Sequence, residues 1–139
     1  MRDTEWSYLA GIIDGEGTIT AECNGQDRIR VTVSSTSTAL IDWLIVKIGG
    51  HASISNRKRA EEYGHKFCWH WEVTGVKAAS LLDGILPHLR IKKRQAQLAL
   101  LFRETFHGKG KHPSTEDKKR RSWIVKQFRR MNKRQSSAT

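Results

Sequence analysis

Leu9-Ala10-Gly11-Ile12-Ile13-Asp14-Gly15-Glu16-Gly17 runs directly into Thr18-Ile19-Thr20-Ala21-Glu22-Cys23, and the change of period between these two stretches decides the fold. From about Trp6, the apolar residues Leu9, Ile12 and Ile13 recur at helical spacing, so one side of a helix faces a core. Gly15 and Gly17 flank Glu16 and predict that the helix stops there in a tight turn. Beyond them the period is two. Arg28-Ile29-Arg30-Val31-Thr32-Val33-Ser34 alternates in the same way, and Asn24-Gly25 supplies the turn between the two runs. The expected product is a β-hairpin. Its apolar face carries Ile19, Ala21, Cys23, Ile29, Val31 and Val33, and its polar face Thr20, Glu22, Arg28, Arg30, Thr32 and Ser34.

Working outward, Leu40, Ile41, Leu44, Ile45 and Ile48 define a second helix over Thr38 to Ile48, closed by Gly49-Gly50. His51 to Lys58 and Phe67 to Thr74 read as a second hairpin joined by a charged loop from Arg59 to His65. Ala78, Leu81, Leu82 and Ile85 mark a helix that Pro87 ends, and another spans Ala96 to Phe106. Ser114, with Asp117 three residues on, has the spacing of a capping box before a last helix bearing Trp123, Ile124, Gln127, Phe128 and Met131. The order αββαββα, followed by C-terminal helices, predicts an α+β fold in which one antiparallel sheet has helices on one face and leaves the other open. Residues 1–106 form the expected core, and 107–139 a basic helical extension whose Lys/Arg- and Ser-rich end from Arg129 to Thr139 is expected to fray.

The formal net charge of +11 is unevenly placed: residues 1–89 hold nine Lys/Arg against eleven Asp/Glu, and residues 90–139 sixteen against three. Such a block is either a solvated tail or the footprint of a polyanion. No apolar run is long enough to span a bilayer, and with Asp3 and Glu5 near the start the N-terminus has the character of neither a signal nor a transit peptide. The expectation is a soluble, intracellular protein without a membrane partner. Cys23 and Cys68 form no CxxC pair, which argues against a disulfide framework or structural zinc. The five tryptophans read as core residues rather than as base-stacking platforms.

Leu9 to Gly17 is similar to the signature of the LAGLIDADG homing endonucleases, with Ile12 in place of Leu, Gly15 in place of Ala and Glu16 in place of Asp; Tyr8 before it and Thr18-Ile19 after it also suit the pattern. The resemblance implies a sheet that forms a saddle for double-stranded DNA, and metal-dependent double-strand cleavage of a long pseudo-palindromic site. It implies that Glu16 holds Mg²⁺, with the Gly15 backbone carbonyl as a further ligand; Mn²⁺ would substitute, and Ca²⁺ would bind without turnover. Asp14 looks structural, orienting the turn. Leu89 to Ala96 resembles the segment that carries the family's catalytic lysine, matched here by Lys92, which is otherwise one of several clustered bases on phosphate. Where the family often has an amide to position water, this chain has Ser35.

The motif occurs once, so its partner helix is expected from a second copy of the chain, with Leu9, Ala10, Gly11, Ile13 and Asp14 at a two-fold interface. Small residues at Ala10 and Gly11 suit close helix approach, since mid-helix glycine otherwise costs about 1 kcal/mol. A two-stranded ribbon fits the major groove, and the candidate base contacts are Thr20, Glu22, Asn24, Arg28, Arg30, Thr32, Ser53, Ser55, Arg57 and His70. Lys93 and Arg94, with the runs Lys118 to Arg121 and Lys126 to Arg134, would neutralise phosphates. The alternative is a non-cleaving nucleic-acid binder of the same fold, an RNA maturase or a DNA-binding regulator. A basic membrane-surface protein fits the alternating hairpins poorly.

Overall fold

The computed structural model describes residues 1–54, 57–64, 66–107 and 112–137, and the side chains among them apart from those of residues 24, 57, 59, 60 and 134–137. Helix α1 (Asp3–Glu16) leads without a linker into β1 (Gly17–Asn24) and β2 (Gln26–Ser35). There follow α2 (Thr38–Lys47), β3 (His51–Ile54), α3 (Arg57–Tyr63), β4 (Trp69–Thr74), α4 (Gly75–Ile85), a 3-10 turn at Leu86–His88, α5 (Lys93–Glu104) and α6 (Thr115–Ser137). The four strands make one antiparallel sheet in the order β1-β2-β4-β3.

The expected α+β architecture and hairpin parity are as observed. Ile19, Ala21, Ile29, Val31, Val33, Trp71 and Val73 are buried on one sheet face, beneath α1, α2, α4 and α5. Trp71 illustrates how a buried indole is kept satisfied, because its Nε1 donates to the Gly49 carbonyl at 2.8 Å. The opposite face carries Thr20, Glu22, Arg28, Arg30, Thr32, Ser34, His51, Ser53, His70, Glu72 and Thr74, with no side chain among them fully buried. Trp6, Trp43 and Trp69 pack partly buried against the core.

Three features depart from the sequence reading. The second hairpin is shorter than expected, because Arg57–Tyr63 forms helix α3 rather than a strand end and loop; Arg-Lys-Arg-Ala-Glu-Glu is a run of good helix formers. Pro87 does not simply end α4 but sits inside the 3-10 turn, where its missing N–H breaks no bond of the preceding helix. Helix α6 packs against β1, the outermost strand, and against α5. Ile124, Val125 and Phe128 join the same core as residues 1–106, so the extension is packed into the one unit. The cleft between α6 and β1 is lined by residues of both sheet faces, among them Ala21 and Glu22, which puts the helix along an edge that would otherwise offer unpaired backbone. Helix α6 extends to Ser137.

Ser114 and Asp117 form the expected reciprocal cap of α6: the Ser114 N–H donates to Asp117 Oδ2 and the Asp117 N–H to Ser114 Oγ, both at 3.1 Å. Two residues of α6 behave otherwise than their neighbours suggested. Trp123, read as core, is half exposed beside Leu101. Arg121, read as a phosphate contact, is buried: its Nε donates to Thr105 Oγ1, its Nη2 to the Thr105 carbonyl at 2.9 Å and its Nη1 to Asp27 Oδ2 at 2.7 Å.

Candidate nucleic-acid interface and helix-foot carboxylate

Glu16 is the last residue of α1 and Gly17 the first of β1, so the carboxylate stands where the helix meets the sheet. The junction needs glycine for space: a Cβ at Gly17 would lie 2.8 Å from the Ile13 Cα. Gly17 adopts extended backbone (φ −90°), so the turn is tight through close approach of the two segments. Glu16 is exposed, and its carboxylate takes part in no hydrogen bond or ion pair among the described residues.

Asp14 and Lys92 lock this junction from two sides. Asp14 accepts from the backbone N–H groups of Arg90 (2.9 Å), Ile91 (3.2 Å) and Lys92 (2.9 Å), capping the approach to α5. Lys92 in turn donates its buried Nζ to the carbonyls of Ile13, at 3.0 Å, and of Gly17. A cation at the carbonyl end of α1 answers the negative end of the helix dipole. Burial pushes the Lys92 ammonium below the usual 10.5, while Asp14 and Glu16 nearby pull it back up. The structure thus brings Glu16 and Lys92 together at one junction, with the Asp14 carboxylate committed to backbone N–H groups. Asp14→Ala is expected to cost about 2–4 kcal/mol of folding free energy, since three N–H groups lose a charged acceptor at once. Urea unfolding would read this as a lower midpoint, with Asp14→Asn falling between the two.

The residues expected at a two-fold interface are differently placed. Leu9, Ala10 and Ile13 are wholly buried inside the chain and have no surface left for a partner. Asp14 is half-buried and bonded as described. The side of α1 that is open carries Thr4, Tyr8, Gly11 and Gly15. Tyr8 is 57% exposed, edge-on to Trp43 at 5.3 Å between ring centroids. A Cβ at Gly11 or Gly15 would meet nothing within 4 Å, so nothing in the chain's own packing requires either glycine. Beside this stripe a cleft of about 380 Å³ lies between Gly11 and Asp14 on one wall and His88 and Arg90 on the other.

On the open sheet face, the register sets Thr20 opposite Arg30 and Arg30 opposite Thr74, Glu22 opposite Arg28, and Thr32 opposite Glu72. Ser34, His70 and Ser53 form another row, with Ser34 Oγ hydrogen-bonded to His70 Nδ1 at 2.9 Å. Thr20, Glu22, Arg28, Arg30, Thr32, Ser53 and His70 therefore share one surface. Ser55 lies outside the described residues, as do the side chains of Asn24 and Arg57; the Arg57 backbone is in α3, off the strand on which it was expected. Lys93 and Arg94 are exposed at the start of α5, beside Lys92. Ser35 uses its Oγ to accept from the Ser37 N–H at 3.0 Å, which holds the turn into α2. Glu72, absent from the sequence candidates, sits in the centre of this face. Its alternation with Trp71 and Val73 was the signal for it.

No family model matches the sequence, and no curated protein does. Solved structures do. The chain superposes on the homing endonuclease I-CvuI, in complex with its target in 2 mM Ca, with a TM-score of 0.69 and 20% identity over 91% of this chain and 80% of that one. It superposes on the archaeal intron-encoded homing endonuclease I-Vdi141I, complexed with DNA, with a TM-score of 0.72 and 16% identity over 92% and 84%. This is the LAGLIDADG homing endonuclease fold. A second I-CvuI complex, with the I-CreI target uncleaved in 2 mM Mg, gives a TM-score of 0.62 and 19% identity, covering 91% of this chain and 96% of that one. Within the homing endonuclease fold of this chain, the acidic motif occupies α1 and its junction with the sheet.

Proposed function

We propose that the chain is a site-specific DNA endonuclease that works as a homodimer and makes a metal-dependent cut in each strand of a long pseudo-palindromic site. The observation that carries this reading is the exposed, unbonded Glu16 carboxylate at the foot of α1, set beside Lys92 and at the end of a polar sheet face. The solved structures of the same fold are DNA complexes, which supports duplex DNA as the partner.

Metal chemistry fits the donor set. Among the described residues no group of three or more His, Cys, Asp or Glu side chains converges, so Glu16 would need ligands from outside those side chains. A single carboxylate suits Mg²⁺, which keeps most of its waters and completes its shell with phosphate oxygens. Glu16 would hold the ion, with the Gly15 carbonyl as a second oxygen at the negative end of α1. Bound there, the ion would activate water and neutralise charge on the leaving oxygen. Lys92, buried against α1, would place positive charge near the point where the attacked phosphate gains negative charge. Arg28, Arg30, Thr20, Thr32, Ser53 and His70 face the major groove, and Lys93 and Arg94 grip the backbone.

Dimerisation would use the stripe of Tyr8, Gly11 and Gly15. A glycine in mid-helix costs about 1 kcal/mol, and at Gly11 the open space around it leaves close approach of a second α1 as the reason to accept that cost. Gly11→Leu is therefore expected to leave folding intact or slightly improved and to convert the dimer to monomer. Light scattering and thermal unfolding on one sample would check both halves.

The test of function is cleavage of a randomised duplex library by the purified chain with Mg²⁺, beside an EDTA control. Double-strand cuts that vanish with EDTA support the reading and reveal the target. Tight duplex binding without cutting in Mg²⁺ or Mn²⁺ would replace it with the non-cleaving binder.

A further inference from the structure

The charged side chains of the open face form one continuous set of contacts. Glu22 accepts from Arg28 Nε at 3.2 Å through Oε2, and its Oε1 pairs with Arg30 Nη2. On the other side, Arg30 Nε lies 3.5 Å from Glu72 Oε1. The register explains the pattern: Arg30 is on the central strand β2, while Glu22 and Glu72 are each one pleat away diagonally on β1 and β4. All three side chains are less than one-third exposed, and Arg30 Nε is buried without a hydrogen bond of good geometry. Two arginines and two glutamates leave this sheet face with no formal net charge. The basic excess lies elsewhere, at Arg90, Lys93, Arg94 and along α6.

We propose that Glu72 is a specificity-determining residue, which acts with Glu22 to restrain Arg30 from backbone phosphates and makes its engagement depend on the base pair it meets. The inference rests on the DNA-reading role of this face. An unrestrained arginine would bind phosphate at any sequence. Drawing Arg30 away to a phosphate leaves Glu72 uncompensated in the field of a polyanion, so a wrong site is penalised. At a guanine, the guanidinium keeps its Nε side by Glu72 and turns its terminal donors to O6 and N7, while Glu22 retains Arg28 as its partner. The acids make the reading face selective, and the basic flanks supply attraction.

The test is Glu72→Gln, which keeps size and removes charge. Binding of a random-sequence duplex would be titrated over a series of salt concentrations for wild type, E72Q and the double variant R30Q/E72Q, with unfolding midpoints measured alongside. For E72Q, non-specific affinity is expected to rise about tenfold at low salt, and the slope of log K against log salt to steepen by about 0.9, the value for one more phosphate contact. The double variant is expected to return to the wild-type slope. An unchanged slope in E72Q, with or without a lower unfolding midpoint, overturns the proposal, as does a double variant that keeps the E72Q slope. If the wild type shows no salt-dependent binding of duplex DNA, the DNA-reading role itself fails and takes this inference with it.

Discussion

Glu16→Gln is expected to lower cleavage by at least about a thousandfold while leaving the protein folded and bound to DNA. The size of the effect follows from what would be lost: without the negative charge a divalent ion has no anionic anchor on the chain, and metal stabilisation of attacking and leaving oxygens amounts to several kcal/mol. The selectivity of the effect follows from geometry. Glu16 is exposed and bonds to no other described group, so its replacement belongs with surface changes that move stability by about 0.5 kcal/mol or less. Removing a negative charge near phosphate should, if anything, tighten binding. The measurement is single-turnover cleavage of the selected target beside a binding titration. Cutting within tenfold of wild type would show that Glu16 is not the metal anchor.

The largest effect on folding is expected at Arg121. Its side chain is 6% exposed and bridges three places in the chain: the end of α5 through Thr105, the start of β2 through Asp27, and the Phe106 ring, whose centroid lies 4.0 Å from the guanidinium carbon. Arg121→Ala leaves the Thr105 carbonyl without its donor and the Asp27 carboxylate without its charge partner, and opens space above the ring. The charged hydrogen bonds lost, two of them to buried Thr105 acceptors and one to the partly exposed Asp27, amount to about 2–4 kcal/mol, a large part of the 5–15 kcal/mol typical of a domain. Urea unfolding would report it. Hydrogen exchange should show the loss concentrated in α6 and in the β1–β2 turn that Asp27 anchors. Arg121→Lys keeps the charge but not the fork of donors, and should recover only part of the loss. A destabilisation below about 1 kcal/mol would mean that α6 docks through Ile124, Val125 and Phe128 without need of the arginine.

Much of the architecture was legible because the change of period at Gly17 is abrupt and the hairpin alternates without interruption over residues 18–23 and 28–34. What remained hidden has identifiable causes. Arg57–Tyr63 mixes good helix formers with a position between two strands, and local propensity prevailed there. Arg121 stands in a run of four bases and looks like its neighbours; only its spacing with Asp117, Ile124, Val125 and Phe128 marks it as inward. The same kind of spacing would have divided α1 correctly, since Leu9, Ala10 and Ile13 turn to the core and Tyr8, Gly11 and Gly15 away from it. The bond of Asp14 to residues 90–92 joins segments more than seventy residues apart, and no local pattern contains it. Glu72 was overlooked though His70, two residues earlier on the same face, was not; its partner Arg30 lies on another strand.

The exchange of bonds between Asp14 and Lys92 gives both residues a duty to the scaffold. Each of the two residues closes an end of a helix to which the other belongs or adjoins. The fold therefore has its own use for the lysine, apart from any part it plays in chemistry. Glu16 carries no such obligation. Under the reading proposed above, cutting could be lost through residue 16 with the scaffold and the buried ammonium left in place.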